Sequence, residues 1–197
     1  MTKDFKNKLP SEHNNNLAIF NGWLIHAEQQ KSPHFSLRDK SETVHLLVVH
    51  NISLPPKQFG GGYITDFFLG KLDSKTHPYF EEIAQLKVSA HCLINRKGEI
   101  IQYVSFDDKA WHAGVSSYQG IDKCNDFSIG IELEGADDIP YAQEQYLALA
   151  KLTQSLRESY PDIKNNITGH SDIAPQRKTD PGEAFNWQHF HDCLKLI

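Results

Sequence analysis

Three polar side chains in this 197-residue chain are of the right types to share one chemistry. His50 closes the apolar run HLLVVH at 45–50 and precedes a Gly- and Pro-rich stretch at 51–62. His170 closes the run ITGH at 167–170, and Asp180 lies in KTDP at 178–181, in a loop that begins just after His170 and can fold back over it. A histidine at the C-terminal end of a buried strand stands at the mouth of a sheet, where ligand sites form. Two imidazoles and one carboxylate are a ligand set for catalytic zinc, with a fourth position left for water. Such an ion acidifies water and polarises a carbonyl. Against this, no short HxxxH or HExxH spacing is present. Most of the eleven histidines must be structural or exposed, and each one read alone is more readily a satisfied core or surface residue.

A second chemical feature is the run IGIELEG at 129–135, which sets carboxylates among isoleucines and leucines. A buried carboxylate costs several kcal/mol unless it is paired or hydrogen-bonded. By alternation Glu132 and Glu134 share one face, and Ile129, Ile131 and Leu133 the other. The pair reads either as the wet face of an edge strand or as a general base beside a metal. The run WHAG at 111–114 offers Trp111 as a flat platform for a sugar or peptide, while His112 reads as core packing. His91 and Cys92 are adjacent, so on a strand they point to opposite faces and do not form a nucleophile–base pair.

Positioning such residues requires a sheet. Short runs at 45–50, 88–94, 99–104, 127–133 and 167–170 read as strands, the second and third joined by a turn at 95–98 in which Gly98 suits positive φ. Helices are expected at 63–70, 78–86, 141–160 and 187–196, the third with Tyr146, Leu149, Thr153, Leu156 and Tyr160 on one face and Pro161 as its stop. Residues 17–38 read as an irregular lead-in with one short strand, 171–182 as a polar loop, and the Asn- and Lys-rich residues 1–16 as a loosely docked tail. The fold class expected is α/β: one domain over 17–197, with a mixed central sheet flanked by helices.

Composition narrows the partners. At 39% hydrophobic and 23% charged the chain is in the soluble globular range, and 197 residues fill one domain. A formal charge of -5 argues against a nucleic-acid partner. Three cysteines, an odd number, read as reduced thiols. The N-terminal lysines are followed by no apolar run, and no stretch approaches the roughly 20 apolar residues of a membrane span, so a cytoplasmic, membrane-free protein is expected.

Five stretches carry a resemblance: LVVHNISLPP at 47–56, VSAHCLI at 88–94, AWHAGVSSYQG at 110–120, NDFSIGIELEG at 125–135 and TGHSDIAPQRKTDPG at 168–182. The chain resembles the AmpD-type N-acetylmuramoyl-L-alanine amidases, within the larger superfamily of amidases and peptidoglycan-recognition proteins, from about residue 20 to residue 190. The resemblance implies zinc held by His50, His170 and Asp180, with Glu132 as catalytic base and Lys178 as oxyanion stabiliser. It implies hydrolysis of the amide between N-acetylmuramic acid, in its 1,6-anhydro form, and L-alanine, in muropeptides recycled from the cell wall. On the same reading Asn51 and Trp111 line the sugar pocket, Lys123 and Arg177 receive peptide carboxylates, and no obligate protein partner is needed. Ser171 departs from the cysteine of close relatives, and Lys87 from their frequent arginine, which loses bidentate recognition of a carboxylate. The alternative is a peptidoglycan-binding module of the same fold that does not cut, and a base plus a third ligand argue against it.

Overall fold

The structure is a computed structural model that describes residues 17–197; the polar tail expected at 1–16 lies outside the described residues. In chain order the strands are β1 (Ile19–Phe20), β2 (Trp23–Leu24), β3 (Glu28–Gln29), β4 (Phe35–Leu37), β5 (Leu46–Ile52), β6 (Cys92–Ile94), β7 (Ile100–Gln102), β8 (Asp108–Ala110), β9 (Ser117–Tyr118), β10 (Ile121–Asp122), β11 (Ser128–Glu134) and β12 (Ile167–Gly169). The helices are α1 (Tyr63–Phe68), α2 (Pro78–Ile83), α3 (Gln143–Ser159), α4 (His170–Ile173) and α5 (Trp187–Lys195).

Six strands form one sheet in the order β12-β5-β11-β6-β7-β3. The β6–β7 hairpin is antiparallel and the other neighbours run parallel, so the sheet is mixed, as expected. The central strands are apolar on both faces because both are covered. Leu47 and Val49 of β5, with Ile129, Ile131 and Leu133 of β11, pack against Leu149, Leu152 and Leu156 of α3 and Phe190 of α5. The opposite face of β5, Leu46 and Val48, packs on Ala113, Phe127 and Ile173. Beyond them α1 and α2 bury Phe67, Phe68 and Phe80 against Leu93 and Tyr103. No helix among the described residues is long and apolar enough to cross a membrane.

Four expectations change. The lead-in at 17–38 contains four short strands rather than one, because β3 and β4 pair with β7 and β8, partners far along the chain that local pattern does not reveal. The strand expected at 88–94 begins only at Cys92: Ser89 is drawn aside, its hydroxyl donating to the His34 carbonyl and accepting from the Trp111 N–H. The loop expected at 171–182 opens with α4, of which His170 is the first residue. Finally, β11 is no edge strand, since it lies between β5 and β6.

His91 is fully buried and fully used: its Nδ1 accepts from the Gly130 N–H at 3.0 Å and its Nε2–H donates to the Asp108 carbonyl at 3.2 Å. Burial, with Arg38 adding to it, lowers its pKa to about 3. The unfolded chain takes up a proton near the ordinary value of about 6.5. The folded state does not, so stability is whole above that value and falls as pH drops from it towards 3. Thermal melts between pH 7 and 4.5 are expected to show this loss, and His91→Gln, whose amide can accept and donate without titrating, should flatten it. Identical pH slopes for the two proteins would contradict this account.

Candidate active site

Three adjacent parallel strands deliver the site. In the register of β5 and β11, Glu132 is the direct partner of His50. In β12, Gly169 is the partner of Val49, so His170, one residue on, arrives beside His50 from the other side. His50, Glu132 and the start of α4 therefore share the carboxyl ends of neighbouring strands, where open α/β sheets bind their ligands. Asp180 returns to this point through the loop after α4. The Ser171 N–H donates to the Asp180 carbonyl at 2.9 Å, and Gly182 closes the loop at φ +79° so tightly that a Cβ there would lie 2.1 Å from the Asp137 Cα.

The three candidate ligand atoms form a triangle. His50 Nδ1, His170 Nδ1 and Asp180 Oδ2 are each 3.0 Å from the other two. Donors about 2.0–2.1 Å from one tetrahedral centre would be roughly 3.3 Å apart, so the triangle has the size of one face of a zinc-type coordination shell. The ring protons fit as well. His170 Nε2–H donates to the Ala113 carbonyl at 3.1 Å, which leaves its Nδ1 lone pair pointing at Asp180. Such a ring, held from outside through its other nitrogen, is the usual state of a metal-ligating histidine. Two lone pairs and a carboxylate facing one another are stabilised by a cation, and the residues present therefore fit a metal ion. Both histidines are buried, at 1% and 3% exposure. Burial drives His50 towards its neutral, ligating form, with Asp180 opposing. Burial also pulls the Asp180 carboxyl upward, but its contacts with His170 and His50 outweigh this and hold it below the usual carboxylate range.

Glu132 is half-buried, yet its Oε2 is shut off from solvent and has no hydrogen-bond partner. Burial raises its pKa well above the ordinary carboxylate value, the Asp180 charge adds to this, and Lys178 opposes it. A carboxylate with one free oxygen and an elevated pKa, next to three converging donors, has the properties of a general base. These groups line a cleft of about 380 Å³, within the size range of small-molecule sites, together with Lys178, Trp111 and an apolar wall from α1 and α2 that includes Phe67 and Ile83.

The profile of the N-acetylmuramoyl-L-alanine amidase family, Amidase_2, matches residues 40–183, which spans all of these side chains. The chain belongs to the N-acetylmuramoyl-L-alanine amidase family. Among this amidase's relatives, the 1,6-anhydro-N-acetylmuramyl-L-alanine amidase AmpD of Escherichia coli K12 is 61% identical over 174 residues, 88% of this chain and 95% of the relative. A crystal structure of a selenomethionine AmpD derivative superposes with a TM-score of 0.87 at 57% identity, over 89% of this chain and 98% of that one. The amidase AmiD of E. coli, solved in complex with the substrate anhydro-N-acetylmuramic acid-L-Ala-D-gamma-Glu-L-Lys, gives a TM-score of 0.56 at 29% identity, over 79% of this chain and 60% of that one.

The remaining expected contacts of the amidase are divided. Asn51 and Trp111 line the cleft; Asn51 donates to Asp137 Oδ1 at 2.7 Å and the Trp111 indole to Ser36 Oγ at 3.1 Å. Lys123 does not reach it and instead lines a neighbouring groove with Arg177. Arg177 also borders the open groove that continues past Asn51 and Asp180, and its guanidinium donates to the carbonyls of Ala113 and Val115. Lys87 is exposed and Ser171 half-buried. Sequence reasoning missed His112. It lies against the site rather than only in the core, with Nδ1 2.9 Å from His50 Nε2, and its half-buried ring is held neutral, mainly by desolvation and then by the neighbouring His50. Cys92 is buried in the core on the α3 side, its thiol pKa raised by burial, so it is no nucleophile.

Proposed function

We propose that this chain is a zinc-dependent 1,6-anhydro-N-acetylmuramoyl-L-alanine amidase of peptidoglycan recycling, cutting the amide that joins the lactoyl group of the sugar to L-alanine in muropeptides. The observation that carries the reading is the 3.0 Å triangle of His50, His170 and Asp180 with the unpartnered Glu132 on the adjoining strand. Two imidazoles and one carboxylate, all at least partly buried, favour zinc over the oxygen-ligated hard cations. When bound, zinc acts as a Lewis acid that acidifies water and polarises a carbonyl.

The side chains then divide the work. His50, His170 and Asp180 hold the ion. Glu132 takes the proton of the attacking water and passes it to the leaving nitrogen, so that the amine departs neutral. Lys178, which lines the same cleft, meets the negative charge that develops on the carbonyl oxygen. The apolar wall and Trp111 suit the compact, less polar bicyclic 1,6-anhydro sugar, Asn51 borders its pocket, and Lys123 and Arg177 supply positive charge for the stem-peptide carboxylates. A cytoplasmic enzyme acting on imported wall fragments, without an obligate protein partner, fits these features.

Purified protein loaded with one equivalent of zinc is expected to release free peptide from an anhydro-muramoyl tripeptide faster than from its reducing-end counterpart, as followed by chromatography. Equal rates would make it a general wall amidase. Binding without release of peptide from either would make it a recognition module.

A further inference from the structure

His50 and His170 both face the triangle through Nδ1, so each Nε2 must be held from outside. A single dipeptide does both. His112 Nδ1 lies 2.9 Å from His50 Nε2, and the Ala113 carbonyl lies 3.1 Å from His170 Nε2. The dipeptide is itself clamped: Asn125 Oδ1 accepts from the backbone N–H of His112 at 3.2 Å and of Ala113 at 2.9 Å. On its far side the His112 ring meets Ser128 Oγ of β11 at 3.1 Å through Nε2. The ring has space only because residue 130 is glycine; a Cβ there would lie 2.4 Å from His112 Cγ and Nδ1.

The direction of the chain of hydrogen bonds follows from its inner end. With His50 Nδ1 committed to the triangle, its proton sits on Nε2 and is donated to His112 Nδ1. His112 then carries its own proton on Nε2 and donates it to Ser128 Oγ. Both outer bonds thus select the tautomer in which His50 Nδ1 is a ligand.

We propose that His112 is a positioning residue of this amidase, fixing the orientation and tautomer of His50 for the metal, in tandem with the Ala113 carbonyl on His170. This rests on the zinc-site reading above. Outer partners of metal-bound histidines typically contribute about 10–100-fold to metal affinity. A histidine kept for packing alone would be replaceable by any ring of similar size.

Zinc affinity of the full chain is therefore measured by competition with a chromogenic chelator. His112→Phe, which fills the space but accepts no proton, is expected to bind zinc about 10–100-fold more weakly than wild type. His112→Asn, whose Oδ1 can stand in for Nδ1 as acceptor, should recover most of that loss. In the cobalt-substituted protein His112→Phe should also shift the visible d–d bands, which a mere loss of stability would leave in place. Wild-type affinity in His112→Phe, or no recovery in His112→Asn, overturns the proposal. If His112→Phe fails to fold, Ser128→Ala decides: a several-fold weaker zinc affinity supports the chain of bonds and an unchanged one overturns it. Wild-type protein that takes up no zinc, or His50→Ala that keeps it, would instead bring down the zinc reading itself.

Discussion

Glu132→Ala is expected to retain one zinc per chain and to lose about 10²–10⁴-fold in kcat, with KM little changed. The expectation rests on position first. Glu132 pairs in register with His50 across β5 and β11, so its carboxylate is held beside the triangle of His50, His170 and Asp180 by the most regular part of the sheet rather than by a loop. It rests next on proton affinity. Burial lifts the carboxyl well above its ordinary value, which brings it closer to the pH at which a base both stays ionised and pulls effectively on a proton. Among the described residues, the other candidate bases at the site are already engaged: His112 with His50 and Ser128, and Asp180 with the two histidines. Steady-state kinetics and metal analysis on the same preparation distinguish the outcomes. Full turnover would remove Glu132 as the base, and loss of zinc would make it a ligand instead.

What the sequence made legible was what a short stretch of chain decides by itself. Alternation in β11 sets Ile129, Ile131 and Leu133 on the face opposite Glu132, and these three do share one cluster with the residues of α3 and α5. The amphipathic stripe of α3 and the hairpin turn at Gly98, φ +78°, were likewise local. The edge-strand alternative for β11 fails because an edge is defined by what pairs with a strand, and β5 and β6 come from elsewhere in the chain. Glu134, which that alternative left in water, is buried and accepts from the backbone N–H groups of Gly60 and Arg96, so it fastens loops rather than doing chemistry. His112 was misjudged for a similar reason: the ring that gives it a role, His50, is 62 residues away. Arg38 was passed over entirely, although its guanidinium donates to the carbonyls of Asn125, Asp126, Asp108 and Ser128 and so pins the segment that supports His112. The grouping of His50, His170 and Asp180 became readable only through the family pattern, since residues so far apart leave no spacing signature.

Asp180→Ala is expected to weaken zinc binding by more than the roughly 10–100-fold that losing an outer partner costs, because it removes a ligand and the only negative charge in the triangle. The fold should survive. What holds the Asp180 loop is backbone: the Ser171 N–H on the Asp180 carbonyl and the turn at Gly182, neither of which uses the carboxylate. The effect therefore shows best as a difference of differences. Zinc at about 100 times its Kd should stabilise the wild type by about 2.7 kcal/mol and raise its Tm, since the ion binds the folded state and not the unfolded one. The variant, weakened at least 100-fold, should gain no more than about 0.4 kcal/mol at the same zinc concentration and melt close to its own metal-free form. A zinc-dependent rise equal to that of the wild type, or one zinc per chain after dialysis against a mild chelator, would show that Asp180 is not a ligand. In that case the 3.0 Å contacts of its carboxylate with both imidazoles would be an ordinary buried ion pair.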